Sequence, residues 1–298
     1  MQLSRNPLVS FVMPAWNTRE EWLREAVGSV LGQHGADVRL VVVDDGSDLP
    51  VERVLEDVTD PRLRVVRTAN AGPAEARNAG VSASDGDFIR FVDSDDSVPA
   101  ESTAHLLELA NSADSVIAYG ATLYCDTDLR AVRVLVSDVQ GDARDACLFG
   151  QFAVRGPALL FPRAIVEATG PWDSSASPCE DWDFVLRALQ HAHVRGDDAV
   201  VYWYRKHETS LTGSMDAVER GAHVVIDRYL ERHSEAAGTR RARRARAAAY
   251  LVGAEMRRDS KRPYLARVWR AALLDPAAAA REVARRSAAT VRRLTAPS

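Results

Sequence analysis

The sequence predicts an α/β fold in which a mainly parallel sheet is flanked by helices and followed by a helical C-terminal region. Three observations support this prediction. Short apolar runs alternate with amphipathic segments through the first third of the chain, which is typical of parallel βαβ units. Polar clusters follow three of the apolar runs. From about Asp216 onward, the chain is rich in Ala, Arg and Glu and has almost no strand pattern.

The first four strands and the helices between them follow from these patterns. Pro14 ends the first apolar run, Thr18 with Glu20 and Glu21 fits a helix N-terminus, and Gly72-Pro73 opens a later helix. We therefore expect strands at 9–13, 40–43, 63–66 and 88–92, and helices at 18–31, 51–58 and 73–82.

The pattern weakens after Pro99, and the remaining elements are expected from local composition. We expect a helix at 100–110, strands at 115–124 and 130–136, an irregular apolar stretch at 150–161, a helix at 181–192, a strand at 200–204, and three or four helices after residue 216.

The charge distribution divides the chain near the same point. The 298 residues carry a net charge of -4. Residues 219–298 hold 19 Lys and Arg against 8 Asp and Glu, whereas residues 1–218 hold 19 against 34. We therefore expect an acidic domain over residues 1–215, which carries the candidate site residues, and a basic, α-helical region over residues 216–298. The length suits one large α/β domain with an appendage.

Composition excludes several classes of protein. The chain is 46% hydrophobic and 27% charged, which argues against disorder, collagen-like repeats and coiled coil for the chain as a whole. Cys125, Cys147 and Cys179 are widely spaced and fit neither a disulfide framework nor a CxxC zinc pattern, which indicates a reducing compartment. No signal-peptide pattern and no run of about 18 apolar residues occurs, so we expect a cytoplasmic protein.

Polar clusters follow three strands, at residues 14–17, 44–47 and 93–96. Because ligands bind beyond the carboxyl ends of parallel strands, we expect these clusters to meet in one crevice. The acids at 93, 95 and 96 supply oxygen ligands that suit Mg²⁺ or Mn²⁺, or they form a surface turn. Asp44-Asp45-Gly46-Ser47 is either a turn, since Asp-Gly is a frequent turn pair, or a contact to a nucleobase or ribose.

Three further groups are candidates for chemistry. Arg77 lies near a helix N-terminus, where anions bind, and is alternatively a solvated helix residue. The acids of Glu180–Asp183 open a helix and are either ordinary partners of its dipole or include a general base. Asp181 and Asp183 lie about 200° apart on that helix, so both cannot face the crevice. His207 follows the last strand and is either structural or a metal ligand.

Together these segments resemble the family 2 nucleotide-sugar glycosyltransferases. The matching motifs are VSFVMPAWN, VVVDDGS, NAGPAEARNAG, FVDSDD, the GPWD-to-CEDWDF stretch and YRKHETS, which span residues 7–213. The resemblance implies a GT-A-like fold and a hexosyltransferase type of activity. It also implies a nucleoside-diphosphate sugar donor, expected to be a UDP-sugar, a hydroxyl acceptor, Mn²⁺ or Mg²⁺ as cofactor, and inversion at the anomeric carbon.

The resemblance also implies roles for individual residues. Asp181 is expected to be the general base. Asp95 and His207 are expected to hold the metal, with Asp93 and Asp96 as further candidates. Glu180 and Trp182 are expected on the acceptor side. The nucleotide is expected to contact Pro14, Trp16, Asn17, Asp44, Asp45, Arg77 and Asp93, and Trp16 stands where many family members have Tyr.

Two other functions compete with sugar transfer. A sugar-nucleotide pyrophosphorylase would carry a Gly-rich, basic phosphate loop after the first strand, and Pro14-Ala15-Trp16-Asn17 contains neither Gly nor Lys. A nucleotide-sugar-binding or scaffold protein would lack the base, and the presence of Asp181 and His207 argues against that function.

The basic C-terminal region has two competing explanations. Its arginines either contact an anionic membrane surface at the inner face, or a phosphate-bearing lipid acceptor, or they form the solvated face of a helical bundle that dimerises or caps the catalytic domain. Nucleic-acid binding is not expected, because no aromatic residues are interleaved with the basic run. The run comprises Arg240, Arg241, Arg243, Arg244 and Arg246.

Overall fold

The computed structural model divides into two compact units. It describes residues 7–110, 115–152, 156–207, 215–233, 239–256 and 261–284. The first unit comprises Met1–Arg144, Phe152–Ser175 and Glu180–Ser210, and the second comprises Asp145–Gln151, Ala176–Cys179 and Leu211–Ser298. The two short pieces that group with the second unit have no signal in the sequence pattern.

The described residues form eight strands and a series of helices. The strands are β1 (Leu8–Ala15), β2 (Asp37–Asp44), β3 (Leu63–Arg67), β4 (Phe88–Phe91), β5 (Val116–Cys125), β6 (Ala131–Leu135), β7 (Leu159–Pro162) and β8 (His193–Arg205). The helices are α1 (Glu20–Leu31), α2 (Val51–Val54), α3 (Pro73–Ser82), α4 (Ser102–Ala110), α5 (Arg144–Leu148), α6 (Arg163–Thr169), α7 (Glu180–Ala188), α8 (Met215–Arg232), α9 (Arg240–Met256), α10 (Lys261–Leu274) and a last helix over residues 276–284.

The sheet of the first unit has the strand order β3-β2-β1-β4-β7-β5-β6, and β8 also pairs with β5. The pairs β1–β2, β1–β4, β2–β3 and β5–β8 are parallel, whereas β7 runs antiparallel to both β4 and β5. A buried apolar core joins the sheet to α1 and α4, with Phe11, Leu23 and Leu106 among its members. This architecture confirms the predicted α/β class with a mainly parallel sheet.

The sequence pattern missed β7 and predicted β8 too short. β7 lies in the stretch expected to be irregular, of which residues 153–155 are outside the described part of the chain. Its four residues are all buried, so it shows no alternation of apolar and polar residues. β8 begins seven residues before the expected Val200, because its pairing with β5 shifts register between Tyr119 and Ala121 and accommodates Gly196-Asp197-Asp198.

Smaller differences concern the ends of helices. The helix expected at 51–58 ends at Val54, and the helix expected at 181–192 is α7, which ends at Ala188. Thr18 was expected to cap the first helix, but α1 is preceded by Arg19 and has no side-chain capping bond. Helix ends depend on tertiary contacts that a local pattern does not contain.

The first strand does not end at Pro14, contrary to expectation. β1 continues to Ala15 beside β2. Its pairing with β4 ends at Val12, whose carbonyl oxygen accepts a 3.1 Å bond from the Val92 amide. Pro14, which has no N–H to donate, lies beyond that last pair. The strand order reverses between β1 and β4, and in parallel sheets ligands bind at such a switch point, beyond the carboxyl ends of the strands.

Helix α3 packs closely on this part of the sheet because Gly80 has no side chain. A Cβ atom at Gly80 would lie 2.3 Å from Cγ1 of Val12 and 3.2 Å from Cγ2 of Val43. The first distance is shorter than real Cβ contacts and the second is tight, so glycine lets α3 approach β1 and β2 this closely.

A fully buried arginine connects four segments of the first unit. Arg90 on β4 donates to the hydroxyls of Ser102 (2.8 Å) and Thr103 (3.2 Å) on α4, to the carbonyl of Val201 on β8, and to the carbonyl of Pro157 (3.4 Å) before β7. Complete burial lowers the pKa of Arg90 to about 9. Its bonds to neutral oxygens satisfy a charge that would otherwise be costly to bury.

The described part of the second unit is helical, as expected for the C-terminal region. Its core consists mainly of small side chains, which let helices approach closely: Ala247, Ala254, Tyr264, Val268, Ala271 and Ala279. None of the helices in the described ranges is long and apolar enough to cross a membrane.

Three arginines of the basic run make contacts inside this unit. Arg241 donates to Asp145 (2.7 Å) and to the Tyr229 hydroxyl (2.9 Å). Arg246 lies 3.5 Å from a carboxylate oxygen of Asp227, and the guanidinium of Arg244 lies 4.0 Å from the centre of the Phe149 ring. The run is therefore not a uniformly solvated face.

Candidate active site

The loops after β1 and β2 are joined by a reciprocal pair of side chains. The Asn17 side-chain amide donates to Asp48 (3.2 Å), and its oxygen accepts a bond from the Asp48 backbone amide (2.9 Å). The Asn17 backbone N–H donates to the Ser47 hydroxyl (3.1 Å). Asn17 has φ of 47°, a left-handed conformation that Asn adopts more readily than most residues. The neighbouring Trp16 side chain is 56% exposed.

Asp44 and Asp45 both accept hydrogen bonds from the chain itself. Asp44 is buried and accepts bonds from the backbone amides of Ser47 (2.8 Å) and Val51 (3.1 Å) and from Arg67. Burial alone would raise the pKa of Asp44, but these hydrogen bonds outweigh it and the pKa is lowered. Asp44 therefore holds the turn between β2 and α2 as an anion.

Asp45 holds the start of α3. Its two oxygens accept bonds from the backbone amides of Ala71 (2.9 Å) and Gly72 (2.8 Å). Gly46 allows this approach, because it has φ of 75° and an added Cβ would lie 2.9 Å from the Asn70 nitrogen. A carboxylate offers about four lone-pair sites, so Asp45 keeps acceptor capacity for a ligand.

Arg77 is held between an acid and an aromatic ring. It donates to Asp93 (2.8 Å), and its guanidinium lies 4.7 Å from the centre of the Trp172 ring. Trp172 stacks on Phe184 of α7 at 4.3 Å with an interplanar angle of 3°, and its backbone exchanges two hydrogen bonds with the Asn78 side chain. Only 12% of the Arg77 side chain is exposed, so it is not the solvated helix residue of the alternative interpretation.

The ends of β4 and β8 meet at Asp95 and His207. Nε2 of His207 lies 2.7 Å from Oδ2 of Asp95. Burial and then the charge of Asp93 raise the pKa of Asp95, although the contact with His207 opposes the shift. The loop after β4 is also tied to the other strands, because Ser97 forms an antiparallel bridge with Trp203 and the Ser94 hydroxyl lies 2.7 Å from the Thr18 hydroxyl.

Asp96 points toward β8. It is almost fully buried and accepts hydrogen bonds from the Tyr202 hydroxyl and from the Arg205 backbone amide (2.6 Å). Burial raises the pKa of Asp96 well above its usual value. Both of its oxygens therefore already have partners in the chain, and we leave Asp96 out of the metal site proposed below.

Helix α7 presents its acids in different environments. Asp183 is buried and forms an ion pair with Arg187 at 2.7 Å. Glu180 is buried as well, whereas Asp181 and Trp182 are half-buried. Gly156 leaves room beside Asp181, since an added Cβ there would lie 3.3 Å from the Asp181 Cβ. Of the two acids on opposite faces, Asp183 is thus the internal one and Asp181 is the one that retains access to solvent.

The side chains at the ends of β4 and β8 are of the types that bind a divalent cation which also contacts substrate. Across the described ranges, no three His, Cys, Asp or Glu side chains form a ready-made metal cluster. Asp95 would supply an oxygen ligand and His207 a nitrogen ligand, and Asp93 lies two residues before Asp95 in the chain. Mg²⁺ sites commonly use one or two carboxylates and complete their coordination with waters and substrate phosphates, so the residues fit such an ion.

Asn17 also lines an open hollow of about 400 Å³. It is lined by α1, α2 and the turn between β2 and α2, with Thr18, Arg19 and Leu49 among the lining residues. Its lining contains neither Asp95 nor Asp181, so it is not where the acids and His207 meet.

Several residues of this site were given no role there by the sequence analysis. Trp22 was expected only to fill the apolar face of α1, but its ring lies 4.8 Å from that of His207. Trp172 had no assigned role. Arg205 donates to the Asp95 carbonyl (2.8 Å) and to Glu25 (2.5 Å), although it lies inside the YRKHETS motif. Each contact joins residues that are far apart in the chain, so no local pattern could have revealed it.

The sequence matches a known family and several curated proteins. Residues 10–157 match the model of Glycosyl transferase family 2. The uncharacterized glycosyltransferase EpsJ of Bacillus subtilis (strain 168) is 32% identical over 243 residues, which cover 77% of this chain and 68% of EpsJ. The succinoglycan biosynthesis protein ExoO of Rhizobium meliloti (strain 1021) is 35% identical over 133 residues, which cover 44% of this chain and 38% of ExoO.

The fold is shared with TarS of S. aureus. The crystal structure of TarS 1–349 in complex with UDP-GlcNAc superposes with a TM-score of 0.62 at 17% identity and covers 89% of this chain and 81% of that one. The complex of TarS 1–349 with UDP gives a TM-score of 0.58 at 18% identity and covers 83% and 70%. At this identity the likeness concerns the fold alone, and it confirms the expected GT-A-like arrangement of sheet and helices.

Proposed function

The chain belongs to glycosyl transferase family 2, and we propose that it transfers a sugar from a nucleoside-diphosphate donor to an acceptor hydroxyl. The observation that carries the proposal is the meeting of Asp95 and His207 at 2.7 Å, next to the Asp93–Arg77 pair. The TarS structures with UDP and UDP-GlcNAc support a UDP-sugar as the donor. We expect a hexosyl group to be transferred.

The nucleotide part of the donor is assigned to the ends of β1 and β2. The exposed indole of Trp16 stacks on the base, and Pro14 and Asn17 line the same edge. Asp45 uses its remaining acceptor capacity for the base, while Asp44 contributes indirectly by fixing the turn. Arg77, held by Asp93 and Trp172, presents positive charge to the nucleotide.

The metal is assigned to Asp95 and His207, with Asp93 as a further ligand. Mn²⁺ or Mg²⁺ bound there would neutralise the negative charge on the departing diphosphate. Asp95 and His207 would hold the ion from the protein side, and waters and the phosphate oxygens of the donor would complete its coordination.

Asp181 is assigned as the general base. Its carboxylate takes the proton of the acceptor hydroxyl while that oxygen attacks the anomeric carbon from the face opposite the diphosphate. The bond from the sugar to the diphosphate breaks, its electron pair stays on the diphosphate, and the configuration at the anomeric carbon is inverted. Asp183 is excluded from this role by its ion pair with Arg187. Glu180 and Trp182 lie beside Asp181 and are assigned to the acceptor side.

Slow hydrolysis of the donor tests this function without knowledge of the acceptor. The full chain is incubated with a panel of nucleotide sugars and Mn²⁺, and release of nucleoside diphosphate is measured. A thermal shift in the presence of Mn²⁺ identifies which donor binds, because a ligand of the folded state raises the melting temperature. We expect one class of nucleotide sugar to give both signals, and a chelator to abolish release.

Substitution at position 181 separates transfer from binding. Asp181→Asn should lower turnover by about 10²–10⁴-fold, the usual contribution of a general base, and leave the donor-induced thermal shift unchanged. Donor binding without any release by the wild-type chain would indicate the binding or scaffold protein. Formation of nucleoside triphosphate from donor and pyrophosphate would indicate the pyrophosphorylase.

A further inference from the structure

Helix α10 in the second unit presents a stripe of large apolar side chains to solvent. Leu265, Trp269 and Leu273 are 49%, 63% and 66% exposed. They are spaced four residues apart and therefore lie on one face of the helix. The opposite face packs into the core of the unit through Tyr264, Val268 and Ala271, so α10 is a well-anchored helix with apolar residues on both sides.

The charges on α10 are all of one sign. Its sequence, KRPYLARVWRAALL, contains four basic residues and no acid. Arg267 is paired with Glu219 at 3.1 Å, whereas Arg270, directly after Trp269, is exposed. An apolar stripe is thus bordered by positive charge.

We propose that this face of α10 binds an anionic lipid surface. A helix with Leu and Trp on one face and arginines beside them lies in the plane of a membrane, with the apolar residues at the boundary between headgroups and acyl chains. Trp is enriched at this depth because its ring is amphipathic, and each nearby arginine is attracted to anionic headgroups. The stripe on α10, and not the arginine run on α9, provides the contact.

A lipid surface fits this face better than a second copy of the chain. A symmetric dimer would bring the same patch of both copies together, so Arg270 of each copy would approach the all-basic helix α10 of the other, which has no acid to pair with it. The three arginines of α9 with contacts inside the unit also leave fewer charges there for a membrane: Arg241, Arg244 and Arg246.

Flotation of the full-length protein with lipid vesicles tests the proposal. Vesicles of phosphatidylcholine with phosphatidylglycerol should carry the protein at low salt, and vesicles of phosphatidylcholine alone should carry much less. The double variant Trp269→Gln, Leu273→Gln should bind about tenfold more weakly, because it removes the apolar anchor. The matched control Val132→Gln, Val134→Gln changes two exposed apolar residues on β6 and should bind as the wild type does. Equal loss in both variants would overturn the proposal.

Single arginine variants distinguish α10 from α9. Arg270→Gln should weaken binding about fivefold, as expected for one charge near an anionic surface, whereas the exposed Arg240→Gln on α9 should have little effect. The reverse order would overturn the assignment to α10. Vesicles that contain brominated lipids should quench the tryptophan fluorescence of the wild type, because the Trp269 ring enters the lipid layer. The quenching should be weaker in Trp269→Phe.

The oligomeric state in solution tests whether the apolar stripe instead joins two copies of the chain. Light scattering without vesicles should give the same mass for the wild type and for the Trp269→Gln, Leu273→Gln variant. A wild-type dimer that this variant converts to monomer, with no binding to either kind of vesicle, would show that the stripe joins two copies and would overturn the lipid proposal. Unchanged melting temperatures confirm that the variants are folded.

Discussion

The indole ring of Trp22 on α1 lies 4.8 Å from the imidazole ring of His207, which follows β8. The guanidinium of Arg205 is also placed over the Trp22 ring, at 5.2 Å. Trp22 thus packs against the residue that contacts Asp95 and against the residue that donates to the Asp95 carbonyl. We therefore expect Trp22 to act as a positioning residue for the proposed metal site, through His207 and Arg205.

We expect Trp22→Leu to raise the Mn²⁺ concentration that gives half-maximal donor hydrolysis about tenfold, since outer residues that orient metal ligands have effects of this size. Trp22→Phe, which keeps an aromatic ring beside His207, should stay close to the wild type. The measurement is a Mn²⁺ titration of hydrolysis together with a melting curve. A fall in turnover at every Mn²⁺ concentration, with no shift of the midpoint, would show that Trp22 has only a structural role.

Replacement by Asn should affect mainly stability at Asp183 and mainly turnover at Asp181. Asp183→Asn breaks a buried ion pair with Arg187 and should lower the free energy of unfolding by about 3–5 kcal/mol. Asp181→Asn, on the same helix but half-buried, should cost less than about 0.5 kcal/mol and affect turnover instead. Urea unfolding of both variants measures the difference. A larger stability loss for Asp181→Asn would contradict the environments described for α7.

Asp44 should make stability depend on pH. Its pKa is lowered in the folded state, so its contribution is present above the pKa of unfolded Asp, about 3.9, and is lost as the pH falls through the lower folded value. Asp44→Asn should cost about 1–3 kcal/mol at pH 7, the penalty for leaving buried partners without a charged acceptor. The difference between wild type and variant should shrink in acid. A difference independent of pH would rule out an ionised Asp44.

Two glycines provide a matched test of packing. Gly80→Ala places a methyl group against Val12 and should destabilise the protein by about 1–3 kcal/mol. Gly28→Ala, in the middle of α1 with no atom within 4 Å of the added Cβ, should stabilise it by about 0.4–1 kcal/mol. Thermal unfolding of both variants measures the sign, and equal effects would contradict the close approach of α3 to β1.

Most strands of the sheet were predictable from the sequence, β5 and β6 included, whereas β7 and the first part of β8 were not. β1, β2 and β4 are apolar runs that end in polar clusters, and Gly72-Pro73 marks the start of α3. β7 is a four-residue buried run that could equally be a loop. In β8 the sequence Gly196-Asp197-Asp198 resembles a turn, and only the irregular register with β5 keeps it in the strand. These features depend on neighbouring strands.

Candidate site residues were predictable as types and positions, but their partners were not. Polar residues at strand ends pointed to Asp95 and His207, and the resemblance to a family assigned their roles. No pattern indicated that Trp172 would sit under Arg77 or that Asp96 would point to β8. Such contacts arise when the sheet forms, because they join loops that follow different strands.

The buried guanidinium of Arg90 has a consequence for evolution of the enzyme. Its single planar group, on β4, donates to the β8 backbone and so sets the spacing of the strand that leads to the acids and the strand that leads to the imidazole. Because a shift of either strand would break bonds in the interior, we expect new sugar or acceptor preferences to arise through exposed segments elsewhere, while this inner frame stays constant.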